Sequence, residues 1–193
     1  MNYLAHLFLA GDDDDSLLGA LMGDFIKGPV DPKMPAKRRA AVLQHRRIDS
    51  FTDQHPVVRD SKRRISPRFR RYAPILIDMF YDHFLALHWQ DYADCPLEQF
   101  STRVYRLLQH RQQDLPENMQ RPMHYLAHYD LLGSYRTQAG IGRALRGIEG
   151  RLSRPSQLGE AISELETHAT ALTDDFHRFF PELIQHACAG GCP

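Results

Sequence analysis

The stretch Ile75-Leu-Ile-Asp-Met-Phe-Tyr-Asp-His-Phe-Leu-Ala-Leu-His-Trp89 is apolar on nearly every side. A helix with that surface belongs at the centre of a fold. Into it the sequence sets Asp78, Asp82 and His83. Residues 78 and 82 stand one helical turn apart, about 40° around the axis, so both carboxylates face the same way. Two buried carboxylates side by side repel and lose hydration unless a cation lies between or beside them. A metal ion or an arginine would serve. His88, at the far end, reads as a packing or surface residue.

The rest of the chain is organised around that helix. Apolar residues at 17, 18, 21, 22, 25 and 26 predict a helix over 16–27, capped by Asp15 or Ser16 and ended by Gly28-Pro29. Pro35 opens a long basic helix to about Gln54, and Pro56 marks a break. Helical spacing recurs over 97–110, 119–132 and 141–148, and a final helix spans 156–187 with an interruption near Pro181. Alternating strand patterns and hairpin dipeptides are absent. The expectation is an all-α fold: a single-domain helical bundle over 1–187, with 188–193 as a frayed tail. No run of about 18 apolar residues is present, which argues against a membrane span. Met1–Gly11 lacks a basic leader, so no signal peptide is expected. Three cysteines, Cys95, Cys188 and Cys192, without framework spacing suit a reducing cytoplasm.

Polar residues recur on other apolar faces. His45, Asp49 and Asp53 step by four along the basic helix. Imidazole and carboxylate at that spacing can chelate one divalent ion. An Arg-Asp stabilised surface is the alternative, since Arg46 and Arg47 are adjacent. Asp24 interrupts Leu21-Met-Gly-Asp-Phe-Ile26 and needs a partner, and Gly23 suggests that something packs close. His6 sits comparably in Asn2-Tyr-Leu-Ala-His-Leu-Phe-Leu9. His124 and His128 read as one helix face. Phosphate-binding glycine loops, nucleophile elbows and Cys-x2-Cys pairs are missing. A helical set of His and Asp with hard-ion chemistry points to metal-assisted hydrolysis of a phosphate ester.

Charge is uneven. Residues 27–71 hold 14 Lys and Arg against 4 Asp and Glu, while the remainder holds 10 against 20. A basic segment of that kind attracts an acidic macromolecule or a phosphorylated ligand.

Met1-Asn-Tyr-Leu-Ala-His-Leu, Leu21-Met-Gly-Asp-Phe25, His45-Arg-Arg-Ile-Asp49 with Thr52-Asp53, and Asp82-His-Phe-Leu85 followed by His88-Trp89 resemble the acyl carrier protein phosphodiesterases. The resemblance implies an HD-domain-like phosphohydrolase fold. It also implies hydrolysis of the phosphodiester joining 4′-phosphopantetheine to a carrier-protein serine, dependent on a divalent metal: Mn²⁺ by preference, with Mg²⁺ or another ion as substitutes. One departure is the inverted Asp82-His83 where HD domains carry His-Asp. On this reading Asp24, His45, Asp49 and Asp78 are metal ligands. His83, then His6, are candidates to protonate the leaving oxygen, with Asp82 beside them. Asp53 and Arg46 would support the site. Arg63, Arg64 and Arg70 would dock the acidic acyl carrier protein. Two rival readings predict different behaviour. An HD-type nucleotide phosphohydrolase would act without a protein partner, and a basic helical module would bind nucleic acid whether or not metal was present. Costly buried acids argue against the second.

Overall fold

Asp13 caps the first strongly predicted helix: its carboxylate accepts the Ser16 N–H at 3.2 Å and the Ser16 hydroxyl at 2.8 Å. The cap thus lies two or three residues ahead of the Asp15/Ser16 expected from sequence, because Asp14 and Asp15 already lie in the first turn. The structure is a computed structural model that describes residues 1–153 and 156–189.

Ten α-helices and no strand occur among the described residues, as the periodicity predicts. They are α1 (Tyr3–Phe8), α2 (Asp14–Met22), α3 (Ala36–Gln54), α4 (Pro56–Arg64), α5 (Ala73–Leu87), α6 (Leu97–His110), α7 (Glu117–His128), α8 (Leu131–Ser134), α9 (Gln138–Glu149) and α10 (Ile162–Ala189). Within the same limits, no helix is long and apolar enough to cross a membrane.

The central helix is α5, with Leu76, Ile77, Phe80, Tyr81, Phe84 and Leu85 all buried. Its Tyr81 and Phe84 meet Phe176 of α10, and Tyr81 also meets Phe179. Removing such a ring by Phe80→Ala would cost about 3–5 kcal/mol. Proline removes one backbone donor from a helix, yet α10 passes through Pro181 without ending, contrary to the expected interruption. It also continues through Cys188 and Ala189; Cys192 lies outside the described residues.

Two departures shape the region around Asp24. The helix α2 ends at Met22, five residues short of the expected Lys27, because the Met22 carbonyl accepts from both Phe25 and Ile26 in a closing turn. Asp24 therefore projects from a turn. Helices α2 and α3 also lie unusually close: a Cβ on Gly19 would stand 2.3 Å from the Arg38 carbonyl oxygen.

Candidate metal centre

Helix α1 is short, and a distant residue holds it. The buried Asp82 carboxylate, 0% exposed, accepts N–H groups from Leu4 at 2.7 Å and from Asn2 and Ala5 at 3.3 Å. These amides belong to the N-terminal turn, where a helix has unsatisfied donors and a positive dipole end. Asp82 is thus an anchor for the helix that carries His6.

The His6 ring lies on the His45 ring, with centroids 3.6 Å apart and planes within 11°. His45 comes from the middle of α3, and its Nδ1 stands 2.7 Å from the Ala20 carbonyl oxygen. A carbonyl can only accept, so Nδ1 carries a proton and Nε2 is the ring's outward-facing atom. Gly23 makes room: a Cβ there would stand 2.2 Å from the His45 ring. The close packing anticipated from Gly23 is the approach of this imidazole.

Carboxylates surround the two Nε2 atoms. Asp49 Oδ1 is 3.1 Å from His6 Nε2, and Asp49 Oδ2 is 3.2 Å from His45 Nε2. Asp24 Oδ1 is 3.4 Å from His45 Nε2. Donor atoms of His6, His45 and Asp49 all lie within 4.8 Å of one another. Both imidazoles are 2% exposed, whereas Asp24 and Asp49 are nearly half open to solvent. The centre therefore has a dry imidazole side and a wet carboxylate side.

The groups shift one another strongly. Burial opposes charge on His45, but Asp24 and Asp49 outweigh it and raise the imidazole to about 9. Burial lowers His6 to about 4, with Asp49 opposing and charged His45 reinforcing the effect. Asp49 sits far below its ordinary value because the two imidazoles overcome its burial. Asp24 is lowered too, by His45 against burial. Despite this proximity, His6 Nε2 and His45 Nε2 complete no hydrogen bond. Buried polar atoms rarely stay unsatisfied, so two that both face the Asp49 carboxylate suit a cation.

Asp78 lies beside this centre. The α-ammonium of Met1 donates to its Oδ1 at 3.0 Å and lies 3.9 Å from Asp49 Oδ1. The cation expected next to Asp78 is this ammonium, while at Asp82 backbone amides do the corresponding work. Burial raises Asp78, with the ammonium opposing.

The other sequence candidates lie elsewhere. His83 is buried with Nδ1 2.6 Å from the Tyr135 carbonyl oxygen, and burial lowers its pKa. Asp53 pairs with Lys62 at 2.7 Å and is 69% exposed. Arg46 donates to the Ile26 carbonyl at 2.8 Å and so fixes the turn that presents Asp24. Arg64 is tied to Asp175 at 3.0 Å and Arg70 to the Ile65 carbonyl at 2.8 Å. Arg63 is well exposed and pairs with Asp60 within α4. His88 lies near Asp91 and His177, and His124 stacks with His128 on α7, as their sequence positions suggested.

A cavity of about 560 Å³ is walled by residues of α1, α5, α7, α8 and α9. Its residues Asn2, Tyr3, Arg121, Tyr135 and Arg151 carry no motif and were not among the sequence candidates. The single available signal was the position of Asn2 and Tyr3 in the N-terminal block with His6.

Residues 1–183 match a family model described as acyl carrier protein phosphodiesterase. Three curated relatives carry that name: proteins from Klebsiella pneumoniae subsp. pneumoniae (36% identical), Enterobacter sp. strain 638 (35%) and Escherichia coli O6:H1 (34%), each matched over 97% of both chains. No solved structure matches the chain.

Proposed function

The chain belongs to the acyl carrier protein phosphodiesterase family, and from that premise we propose that it releases 4′-phosphopantetheine from holo-acyl carrier protein with the help of a divalent ion. The observation that carries the metal part is the pair of buried, unsatisfied Nε2 atoms of His6 and His45 facing Asp49. His6, His45 and Asp49 would hold the ion, with Asp24 as a fourth donor. A mixed nitrogen and oxygen set suits manganese and its borderline neighbours. Such an ion supplies Lewis acidity toward the phosphoryl oxygens and lowers the pKa of water.

The protein's own part is orientation. The Ala20 carbonyl fixes the His45 tautomer, and the His6 ring is braced by stacking on it. Asp49 spans both rings and stays ionised. Asp24, open to solvent, keeps a charged oxygen free to accept a hydrogen bond from incoming water. The basic surplus of residues 27–71 supports docking of an acidic carrier protein by raising the encounter rate. Arg63, held among the described residues only by an exposed pair within its own helix, suits that contact better than Arg64 or Arg70.

Incubation with holo-carrier protein and Mn²⁺, followed by mass spectrometry, tests the proposal. The expected products are apo-carrier protein and 4′-phosphopantetheine. An unchanged carrier protein would overturn the activity, and full turnover after exhaustive chelation would overturn the metal.

A further inference from the structure

The walls of the 560 Å³ cavity combine two chemistries. Met79, Leu131, Ala144 and Ile148 make an apolar interior, while Arg121 and Arg151 stand at the lining with no carboxylate partner among the described residues. No acidic residue lines it among those residues. That size and mixture fit a small amphipathic ligand with an anionic end. An arginine without a carboxylate is the usual complement of phosphate.

The cavity and the candidate metal centre draw residues from the same two helices, α1 and α5. Asn2 follows Met1, whose ammonium reaches Asp49 and Asp78, and Met79 follows Asp78. Tyr3 lies on the same wall. Its phenol is pushed up to about 12, first by burial and then by Asp24, with Arg151 opposing, so one ring senses both the centre and the cavity arginine. On the floor, the Asn2 amide donates to Tyr135 Oη at 3.3 Å, which leaves polar atoms within an otherwise apolar wall.

We propose that this cavity receives the pantetheine arm of the holo-carrier protein, with its phosphate at the Arg151 and Tyr3 end, beside the metal centre, and its thiol end among Met79, Leu131 and Ile148. This rests on the function proposed above and assigns the part of the substrate that the metal centre does not touch. An arm of alternating amides and alkyl groups needs a slot with few polar atoms and much apolar wall. The phosphodiester must end at the ion.

Gly147 offers a clean test, because a Cβ there would meet nothing within 4 Å. Gly147→Leu fills open cavity space and replaces glycine inside α9 with a better helix former, so folding is preserved. Calorimetric titration with 4′-phosphopantetheine is expected to show binding to the unaltered protein that weakens at least tenfold in Gly147→Leu and in Arg151→Ala. With holo-carrier protein, Gly147→Leu should raise KM at least tenfold while keeping the Mn²⁺-induced rise in Tm. Turnover with an unaltered KM in Gly147→Leu overturns the cavity assignment and leaves the proposed function standing. Cavity-dependent binding of 4′-phosphopantetheine without turnover of the carrier protein does the reverse. Absence of binding to the unaltered protein also overturns the assignment.

Discussion

His6 and His45, from different helices, stack face to face with their Nε2 atoms converging on the two oxygens of Asp49. Stacked imidazoles cannot both be charged without strong repulsion. The structure divides the roles, holding His45 readily protonated and His6 neutral. A divalent cation would take the place of the His45 proton and use both nitrogens.

The first prediction follows from that exchange. At about 100 times its Kd, Mn²⁺ should add about 2.7 kcal/mol of stability. For a chain of this length that is a Tm rise of about 5–10 °C. His6→Ala and His45→Ala should each lose most of this rise along with turnover. A full Mn²⁺-induced rise in both variants, measured by calorimetry, would remove these rings from the centre.

Gly23→Ala tests the packing behind His45. Its new Cβ would lie 2.2 Å from the ring, and Gly23 has ordinary helical dihedrals, so a clash and not backbone strain is the expected effect. The ring must swing away from Asp24 and Asp49. Mn²⁺ affinity should fall about 10–100-fold, the size of loss typical when a ligand's support is removed. Helical circular dichroism should be preserved, and an unchanged affinity would show that the ring does not need this space.

Asp82 separates anchoring from chemistry. As the acceptor for three amides at the start of α1, its replacement by alanine should destabilise the fold by about 1–3 kcal/mol, the range for leaving buried donors unpaired. Denaturant titration would show it. Loss of turnover in Asp82→Ala with undiminished stability would instead return this residue to the chemical role suggested by sequence.

Asp175 provides a pH signature away from the candidate metal centre. The Ser61 hydroxyl donates to it at 2.7 Å and Arg64 Nε at 3.0 Å, and Arg178 also contacts it. Burial works against ionisation, yet Arg64, Ser61 and Arg178 prevail and hold its pKa below the ordinary value. A depressed carboxyl stabilises the fold above its unfolded pKa of about 3.9 and ceases to do so as pH falls through the folded value. Asp175→Asn should therefore cost about 2–3 kcal/mol near neutrality, with a gap to wild type that closes in acid. A gap independent of pH between 7 and 3 would refute the ionic account.

Legibility in the sequence tracked how local each feature is. Helical period exposed the all-α fold, and the one-turn step from His45 to Asp49 put two of the converging side chains on one face. Asp53 lies two turns along, about 80° around the helix from His45, and has rotated out to Lys62. The partners of Asp78 and Asp82 were hidden because an ammonium and three backbone amides leave no trace in side-chain spacing. His83 looked reactive because it neighbours Asp82, but consecutive helical residues diverge by about 100°, and its ring turns to the Tyr135 carbonyl. Arg64 and Arg70 counted as surface charge in a tally that could not see Asp175 or the Ile65 carbonyl.

The long reach of Asp82 to α1 imposes a timetable on biosynthesis. His6, Asp24, His45 and Asp49 all precede Asp82 in the chain, and α2 and α3 can pair as soon as both have left the ribosome. The clasp that seats α1 is not made until α5 has followed. At a synthesis rate of about 5–20 residues per second, the nascent chain spends seconds with its imidazoles assembled from one side only. An ion met during that interval would find an incomplete set of donors, and the full set would come together with the emergence of the central helix.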